Sequence, residues 1–387
     1  LEVGEHRSGE VEQVVGERGG VGQEAPPAAG RSYANPAMTR VSDLDDTAGT
    51  VLQPPTRVHR FVVDGPDGAE LHLLDLGAGV DRVRLPDARG VVDDMTLTLD
   101  SVFDREDRDR NPYLGVTVGR YANRLAGASV TIDGVEHRLE PNEGPNQLHG
   151  GPVGFDRVVW EHDLLPDGVR FSRVSADGEM GFPGRLDVSV TYRLTPGVVS
   201  IVHEATTDRP TVVSLTNHTY WNLGGRSEPD VTDHTVEVAA TTVLPVDGAS
   251  LPSGPPEPVE DGPFDLRAPV RLGDRIGFAL PAGYDHCFVP DGHGFRRHAR
   301  VTHPPSGRRL EVWSDMPGVQ LYTAGFLADG PGGGGRHHGP FAALCLEPQH
   351  LPDAPNQPWA PSPLLRPGQR YVHRLELRYG ADAGEGS

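Results

Sequence analysis

Short apolar runs with period-two alternation recur between Val58 and Tyr379, and turn residues close many of them. Runs such as "VHRFVVDG", "RLDVSVTYRL" and "YVHRLELRYG" are rich in β-branched and aromatic residues, which is typical of strands with one buried face. Asp-Gly and Pro-Gly pairs end several of the runs and indicate tight turns. No segment carries an apolar stripe of helical period over about 12 residues. The pattern therefore predicts an all-β fold, an antiparallel sandwich or barrel.

Composition agrees with many short elements joined by turns. Glycine (49) and proline (37) make up more than a fifth of the 387 residues, and neither follows a collagen-like period. Residues 1–55 are rich in Gly, Glu, Ala and Pro and lack a hydrophobic period, so we expect a disordered N-terminal extension. The predicted β domain spans residues 56–381, and residues 382–387 form a short tail.

Two later segments are predicted to be loops. Residues 251–274, "LPSGPPEPVEDGPFDLRAPVRLGD", contain too many prolines for a central strand. Residues 328–340, "ADGPGGGGRHHGP", are expected to form a flexible surface excursion because glycine dominates them. We expect His337 and His338 in this excursion to be solvated rather than to bind a metal.

The charge of the chain excludes several classes of function. The formal net charge is −20 and the pI is near 5.2, a sign that repels nucleic-acid phosphates and anionic membrane surfaces. No lysine is present, which excludes Schiff-base chemistry, lysine-anchored pyridoxal phosphate and a P-loop. Candidate acids and bases are therefore His, Asp, Glu, Tyr and Cys.

The cysteine count and the apolar runs indicate a cellular compartment. Cys287 and Cys345 are too few for a disulfide scaffold and lie in apolar strand contexts, so we expect small buried residues in a reducing environment. The first residues carry no secretory pattern, and no apolar run approaches the roughly 20 residues of a membrane span. The expected protein is cytoplasmic, and the sequence leaves monomer and homodimer open.

Polar clusters at the ends of strand-like runs supply the candidate chemistry. Taken singly, a histidine such as His218 is more often a hydrogen-bonded structural residue, Arg124 can pair with an acid, and Glu347 can protect an edge strand. We find no metal-ligand spacing, no G-x-S-x-G and no dinucleotide or Walker fingerprint, so no metal and no cofactor are predicted. The clusters are "GRYANRLAG", "NQLHGG", "TNHTYWNLGG", "GYDHCFV" and "CLEPQH".

Together these clusters resemble the aldose 1-epimerases, the galactose mutarotases. The resemblance covers roughly Val58 to Tyr379, and it rests on motifs that occur in the family's order: "GRYANRLAG", "NQLHGGPVGFDRVVWE", "TNHTYWNLGG", "LPVDG", "FDLRAPVRLG", "YDHCFV", "PGVQLYT" and "LEPQHLPDAPNQP". It implies a large antiparallel β-sandwich of the galactose mutarotase type. It also implies interconversion of the α and β anomers of aldohexoses such as galactose or glucose.

The resemblance assigns roles to individual positions. His218 of "NHTYWNL" matches the family's general acid, and Glu347 of "LEPQ" matches its general base. The residues that match those holding the sugar are Asn123, Arg124, His149, Asp285 and Gln320. The implied partner is a monosaccharide.

Mutarotation explains why an acid and a base are needed. A proton must leave the C1 hydroxyl and another must reach the ring oxygen, which a carboxylate and an imidazolium can achieve without a cofactor. We therefore expect Glu347 to be ionised and His218 to be protonated near neutral pH. Tyr220 and Trp221 offer apolar faces for a pyranose, although core packing of at least one ring is equally open.

The sequence departs from the family at two places. "YTAGFL" at 322–327 replaces the "YTGNFL" of many relatives, and we expect it to alter the frame of one side of the pocket. "DDMTLTLDSVFDRED" at 93–107 replaces a more usual "DVVLGFD" and is expected to affect a loop. Neither change removes the proposed acid or base.

Three other functions are weighed against this interpretation. A hexose-6-phosphate 1-epimerase would want arginines at the pocket mouth, but "GFRRHAR" and "SGRRLEV" are read more simply as hairpin positions. A catalytically silent sugar-binding domain on the same fold stays open, although the presence of both His218 and Glu347 argues against it. A cupin-like metal enzyme does not fit the spacing of the histidines.

Overall fold

The structure is a computed structural model that describes residues 38–50, 53–277, 280 and 282–382. The chain begins there with the strands β1 (Met38–Thr50), β2 (Gln53–Asp64), β3 (Glu70–Leu74), β4 (Gly79–Pro86) and β5 (Val92–Asp94). The next elements are α1 (Val102–Glu106), β6 (Thr117–Val118), β7 (Arg124–Leu125), β8 (Ser129–Ile132), β9 (Val135–Arg138) and β10 (Gln147–Leu148).

The middle and the end of the described chain contain only strands and single 3-10 turns. The strands are β11 (Glu161–Leu165), β12 (Gly168–Ser175), β13 (Leu186–Thr195), β14 (Val198–Thr207), β15 (Thr211–Val212), β16 (Thr216–Asn217), β17 (Tyr220–Trp221), β18 (Thr235–Val238), β19 (Ala240–Val243), β20 (Glu257–Pro258), β21 (Val270–Arg271), β22 (Asp285–Pro290), β23 (Arg296–His303), β24 (Arg308–Ser314), β25 (Gly318–Tyr322), β26 (Gly330–Pro331), β27 (His337–His338), β28 (Leu344–Gln349), β29 (Leu364–Leu365) and β30 (Tyr371–Ala381). The 3-10 turns are Ala126–Ala128, Phe155–Arg157, Glu179–Gly181, Leu272–Asp274, Gly333–Gly335 and Ala354–Asn356.

Three large antiparallel sheets organise these strands. A five-stranded sheet has the order β1-β2-β3-β4-β5, and a nine-stranded sheet has the order β11-β12-β13-β14-β30-β24-β23-β18-β21. The third sheet has six strands in the order β17-β28-β25-β22-β19-β20. The predicted all-β antiparallel sandwich is confirmed, because large sheets pack on one another and the one α-helix of the described residues spans five residues.

The three sheets share one apolar core. Phe61 of β2, Tyr192 of β13 and Leu377 of β30 lie in the same buried cluster as Leu321 of β25 and Leu346 of β28. Each strand contributes alternate residues to this cluster, as period-two side-chain geometry requires. The alternating runs of the sequence therefore mark the inward faces of the sheets.

The six-stranded sheet has two different faces, and this difference positions the candidate site. Trp221, Leu321 and Leu346 point into the main core. Their chain neighbours Gln320 and Glu347 lie on the opposite face, because successive side chains of a strand alternate. One face of the sheet thus carries apolar packing and the other carries polar groups.

The folded region begins earlier than expected. β1 lies within residues 1–55, and it pairs with β2 along a two-stranded hairpin. Ala48 of β1 packs in a small apolar cluster with Val58 and Leu74. The expectation of disorder is therefore wrong for Met38–Thr50, where pairing with β2 rather than local hydrophobic pattern forms the strand. Residues 1–37 of the expected extension and 383–387 of the expected tail lie outside the described residues.

The two predicted loops differ in the structure. Residues 251–274 contain only β20, β21 and one 3-10 turn, in agreement with a proline-rich loop. Residues 328–340 pack on the body of the protein instead, since the Arg336 guanidinium donates to the Thr96 carbonyl oxygen at 3.2 Å. His338 is buried, so the expectation of two solvated histidines is wrong for it, whereas His337 is exposed beside Asp329.

Segment 93–107, which departs from the family pattern, contains α1 rather than only a loop. Ser101 caps this helix, because its hydroxyl accepts from the Asp104 amide at 3.0 Å. Arg105 is buried and bonds the carboxylate of Asp81. A charged anchor therefore fixes the short helix to β4.

The two cysteines of the chain are buried in the folded structure. Cys287 and Cys345 are both free and buried, as predicted, and burial raises the pKa of the Cys345 thiol well above its usual range. An unreactive role follows from this shift, because the thiolate is the nucleophilic form. Among the described residues, no helix has the length and apolar character needed to cross a bilayer.

Candidate active site

The seven predicted site residues line one cleft of about 540 Å³. The cleft lies against the polar face of the six-stranded sheet and is closed by loops that precede β6, β7 and β17. The seven residues are Asn123, Arg124, His149, His218, Asp285, Gln320 and Glu347. The structure therefore brings together residues that are spread over more than half of the sequence.

Neighbouring strands place the polar groups of the sheet in register. Gln320 of β25 lies directly opposite Glu347 of β28, and Asp285 of β22 lies opposite Tyr322. The Gln320 side-chain amide donates to the Asp285 carboxylate at 2.7 Å. Within the described residues, one carboxylate oxygen of Glu347 (Oε2) has no hydrogen-bond partner although it is buried. Such an acceptor is ready to bind a hydroxyl group.

His218 faces Glu347 from a separate loop that follows β16. Its backbone amide donates to the Val116 carbonyl oxygen at 2.9 Å, and its own carbonyl accepts from Gly115 at 2.9 Å. The ring Nε2 lies 3.6 Å from Oε1 of Glu347. The backbone bonds fix the position of the imidazole, while the ring remains available for proton transfer.

The two aromatic residues that follow Thr219 have different surroundings: Tyr220 lines the cleft and Trp221 lies in the main core. The Tyr220 ring stacks on the His218 ring with centroids 5.0 Å apart, and its hydroxyl donates to the Pro112 carbonyl oxygen at 2.8 Å. Trp221 belongs to the main apolar core. Of the two rings that were open candidates, Tyr220 orients the histidine and lines the cleft, and Trp221 packs inside.

Two hydrogen bonds join Asn123 and His149, one to the His149 ring and one between backbone groups. The Asn123 amide donates to Nδ1 of His149 at 3.1 Å, and the His149 amide donates to the Asn123 carbonyl at 3.1 Å. Burial lowers the pKa of His149 well below its usual range, and His218 adds to this effect. Since Nδ1 accepts, the neutral ring carries its proton on Nε2 and is a hydrogen-bond donor there.

The backbone around these residues is strained. Asn123 and His149 both adopt left-handed conformations, with φ of 69° and 51°. Gly150 follows with φ of 90°, and a Cβ there would come within 1.9 Å of the Gly119 carbonyl oxygen. Residues in such conformations persist where surrounding contacts determine them, and they cluster at functional sites.

Arg124 is anchored by carboxylates on two sides. Its Nε and Nη2 donate to Glu143 at 2.8 and 2.9 Å, and Nη1 lies 3.8 Å from Asp285. The guanidinium therefore has a fixed orientation, and its charge lies within the cleft beside Asp285 and Gln320.

Burial shifts the pKa values of the acid and base in the direction opposite to our expectation. It raises the pKa of Glu347 well above the usual range, with a further contribution from Asp285 that Arg124 opposes. Burial also lowers the pKa of His218 to about 4. We expected an ionised Glu347 and a protonated His218. Desolvation penalises both of these charged forms and favours a neutral pair instead. Mutual attraction across 3.6 Å favours the ionised pair, and either form holds one proton between the two groups.

Several residues of the cleft were not predicted from the sequence. The Tyr113 ring contacts the His149 ring, with the two ring centroids 4.6 Å apart. The Arg108 guanidinium carbon lies over the Tyr113 ring, 4.0 Å from its centroid. Glu143 binds Arg124 as described. Tyr113 and Glu143 lie in loops without a periodic hydrophobic pattern, so no local sequence signal identifies them as cleft residues.

Two residues of the segment "YTAGFL", Tyr322 and Phe326, line one side of the cleft. A Cβ at Gly325 would lie 2.0 Å from the Ala282 carbonyl oxygen, so only glycine fits at this position. Phe326 follows, lines the cleft and is exposed, and its amide donates to the Tyr322 hydroxyl at 3.2 Å. Tyr322 and Phe326 are shared with the family pattern, and the departing residues Ala324 and Gly325 do not line the cleft, so the expectation that the departure alters the frame of the pocket stays a prediction.

The cleft also contains a possible set of metal ligands. The ligand atoms of His149, His218 and Glu347 lie within 4.8 Å of one another, so this set can hold a zinc-like ion.

A separate cleft of about 570 Å³ lies on β11–β14 and is lined by groups such as Arg173 and Glu204. It contains no histidine, and Arg173 is paired with Glu179 at 2.9 Å. Acid–base chemistry is therefore assigned to the first cleft.

Comparison with known proteins decides the family. The family model described as aldose 1-epimerase matches residues 59–378. The chain belongs to the aldose 1-epimerase family. It is 43% identical to rat galactose mutarotase over 81% of this chain and 92% of the relative, and 36% identical to the aldose 1-epimerase of Escherichia coli over 81% and 93%. The predicted isomerase activity of an aldose 1-epimerase is thus confirmed at the level of the family.

Solved structures support the same fold. An aldose epimerase homologue from C. elegans matches with a TM-score of 0.77 and 32% identity, over 82% of this chain and 98% of that chain. Galactose 1-epimerase from Lactobacillus acidophilus matches with a TM-score of 0.77 and 25% identity, over 90% and 100%. The expected galactose mutarotase type of β-sandwich is confirmed, and a monosaccharide is the implied class of substrate.

Proposed function

We propose that the chain interconverts the α and β anomers of a free aldohexose, with galactose as the first substrate to test. The observation that carries this proposal is the buried pair of His218 and Glu347, whose Nε2 and Oε1 atoms lie 3.6 Å apart in a cleft lined by sugar-type hydrogen-bonding groups. Relatives named galactose mutarotase support the choice of galactose.

Ring opening uses both members of the pair. The Glu347 carboxylate accepts the proton of the C1 hydroxyl while the His218 imidazolium donates a proton to the ring oxygen. The bond between C1 and the ring oxygen breaks, and the C1 carbonyl forms. After rotation about the C1–C2 bond the two groups reverse their roles, and reclosure on the other face gives the second anomer with no net change in protons.

The neutral state favoured by burial is compatible with this reaction. Moving one proton from Glu347 to His218 converts the neutral pair into the ionised pair without exchange with solvent. The pair is therefore competent while it holds one proton, and it loses competence when a second proton binds at low pH or when the last one leaves at high pH. Tyr220, stacked on the imidazole, keeps it aligned during the transfer.

The remaining cleft groups supply complementary hydrogen bonds. Asp285 and the side-chain oxygen of Gln320 accept from hydroxyl groups, since the Gln320 oxygen has no partner within the described residues. Arg124 and the neutral His149 donate, and they favour negative charge that develops on oxygen during opening. Asn123 holds the ring of His149 through its amide.

A phosphorylated sugar fits the cleft less well. Arg124 is the one arginine that lines it among the described residues, and Glu143 and Asp285 already neutralise its charge. The arginine pairs 296–297 and 308–309 lie on the β23–β24 hairpin instead. A phosphate group would require free cationic donors, so a free sugar is favoured. The predictions of a cytoplasmic protein and of a monomer or homodimer stay predictions.

The test is mutarotation of freshly dissolved sugars followed by polarimetry. We expect acceleration with α-galactose and α-glucose and little or none with glucose 6-phosphate. A strong preference for the phosphorylated sugar would contradict the proposal. Binding of galactose in a calorimeter without acceleration would instead support the catalytically silent sugar-binding domain.

A further inference from the structure

A second cluster of histidines and a carboxylate lies outside the cleft. His59 of β2, Asp75 at the end of β3 and His162 of β11 place one ligand atom each within 4.8 Å of the other two. The cluster therefore joins the five-stranded sheet to β11, an edge strand of the nine-stranded sheet. None of its three residues lines the candidate active site.

Backbone contacts preorganise the carboxylate of Asp75. Its side chain is 1% exposed, and Oδ1 accepts from the His59 amide at 2.9 Å. Oδ2 is left facing the two imidazoles, 2.6 Å from Nδ1 of His59 and 3.7 Å from Nδ1 of His162. The Asp75 carbonyl accepts from the Trp160 amide at 2.9 Å, which ties this corner to the start of β11.

The two imidazoles are reachable from solvent. The side chains of His59 and His162 are 28% and 29% exposed, and their ring centroids lie 5.2 Å apart. The edge of the Phe61 ring packs against His162 with centroids 4.7 Å apart. The cluster thus has a buried anionic floor, an apolar wall and an open side.

A second carboxylate orients the first imidazole. Asp43 of β1 lies opposite His59 in the hairpin register, and its Oδ1 is 3.4 Å from Nε2 of His59. Nδ1 of His59 is hydrogen-bonded to Asp75 at 2.6 Å. A metal ion that binds Nδ1 displaces the ring proton to Nε2, where the Asp43 carboxylate accepts it. This arrangement recurs around histidines that bind metal ions.

We propose that His59, Asp75 and His162 bind a divalent transition-metal ion of the zinc class. Two imidazole nitrogens and one carboxylate oxygen form a ligand set that zinc accepts, with water in the fourth position. Tetrahedral zinc with bonds of about 2.0–2.2 Å needs ligand atoms roughly 3.3–3.5 Å apart. The separations from Asp75 are 2.6 and 3.7 Å, on either side of this value, and all three ligand atoms lie within 4.8 Å of one another. Small side-chain movements therefore complete the site.

The bound ion links segments that are distant in sequence. It connects β2 and β3 to the edge strand β11, and it stabilises the folded state because the unfolded chain does not hold the three ligands together. This role is structural and does not depend on the proposed function of the cleft.

Zinc binding is measured on the full chain with His218→Asn in every sample, because His149, His218 and Glu347 form a second possible ligand set. After removal of metals with a chelator, the protein is titrated with zinc in a calorimeter, and the thermal midpoint is recorded with and without zinc. We expect one ion per chain and a higher midpoint with zinc. His162→Gln removes one of the three ligands and should weaken binding at least about tenfold, with a correspondingly smaller shift in midpoint at the same zinc concentration.

The matched control is His72→Gln. Nε2 of His72 pairs with Glu70 at 2.9 Å on β3, and the described residues place no third metal ligand beside this pair. This variant should therefore bind zinc as tightly as the parent. Equal zinc affinity in the parent and in His162→Gln would overturn the proposal. So would the absence of micromolar binding in the parent, in which case the cluster is a hydrogen-bonded ion pair only.

Discussion

The two faces of β25 and β28 carry opposite chemistry on the same backbone. Leu321 and Leu346 enter the main core, while Gln320 and Glu347 face the cleft one residue away on each strand. The apolar face contributes stability through burial of hydrophobic area. The polar face buries a carboxylate whose charged form is penalised by desolvation, so it costs stability and is explained by function.

This comparison separates positions that hold the fold from positions that do the chemistry. A substitution on the apolar face should change stability and leave turnover in the folded fraction unchanged. A substitution on the polar face should change turnover and leave stability unchanged or higher. Adjacent residues of one strand therefore provide matched experiments.

Glu347→Gln should have the largest effect, a loss of about 10²–10⁴-fold in kcat, because the amide cannot accept the proton. The folded-state pKa of Glu347 is raised, so its favourable contribution to stability is complete below the unfolded pKa and is lost as pH rises through the folded pKa. At pH 7 the neutral glutamine should therefore not lower Tm. Polarimetry and thermal unfolding check both statements, and a fall in Tm that parallels the loss of rate would contradict this division between the faces.

Leu346→Ala is the matched change on the other face. It removes a buried side chain from the main core and should lower the free energy of unfolding by about 2–5 kcal/mol. Denaturant titration measures this loss. The kcat of the folded fraction, measured well below the midpoint, should match the wild type, and a loss of kcat comparable with that of Glu347→Gln would show that the faces are not separable.

Asp285→Asn tests a binding role on the polar face. The Asp285 carboxylate accepts from Gln320 and lies near Arg124, so we expect it to hold hydroxyl groups rather than to move protons. We expect KM to rise about tenfold while kcat changes little, the signature of lost uniform binding. Initial rates over a range of galactose concentrations measure this. A collapsed kcat with unchanged KM would place Asp285 in the catalytic pair.

His234→Gln sharpens the contrast between a structural and a catalytic histidine. Burial lowers the pKa of His234 to about 3, as it lowers that of His218 to about 4. Below about pH 6.5 the His234 imidazole binds a proton in the unfolded state but stays neutral in the folded state. The free energy of unfolding therefore decreases as pH falls towards 4. The wild type should therefore lose up to about 1.4 kcal/mol per pH unit more than the variant. Denaturant titrations at pH 7.5 and 5.5 test this, and equal losses would refute it.

Much of the fold follows from local pattern. Period-two alternation identifies which residues of β25 and β28 point inward, and so it separates Leu346 from Glu347. β1 could not be predicted in this way, because Met38–Thr50 becomes a strand by pairing with β2. The glycine run at 332–335 is typical of a flexible loop, yet the neighbouring Arg336 is anchored by a hydrogen bond to Thr96, which is distant in sequence.

The sequence indicates which residues line the cleft together, but it does not indicate their electrostatics. The resemblance identifies seven side chains that the fold gathers into one cleft. Protonation depends on desolvation, which only the packed structure reveals, and desolvation favours the neutral forms of His218 and Glu347 over the expected charged forms. The grouping of His59 with His162 likewise depends on the contact between two sheets, so spacing along the chain cannot reveal it.

The most direct test of the paired acid and base is a double-mutant cycle on the rate of anomer exchange. NMR exchange spectroscopy on galactose would compare the wild type, His218→Asn, Glu347→Gln and the double variant. Because the two groups share one transferable proton, we predict that the double variant loses about as much rate as either single variant. Multiplicative losses, or a wild-type rate in either single variant, would contradict the account.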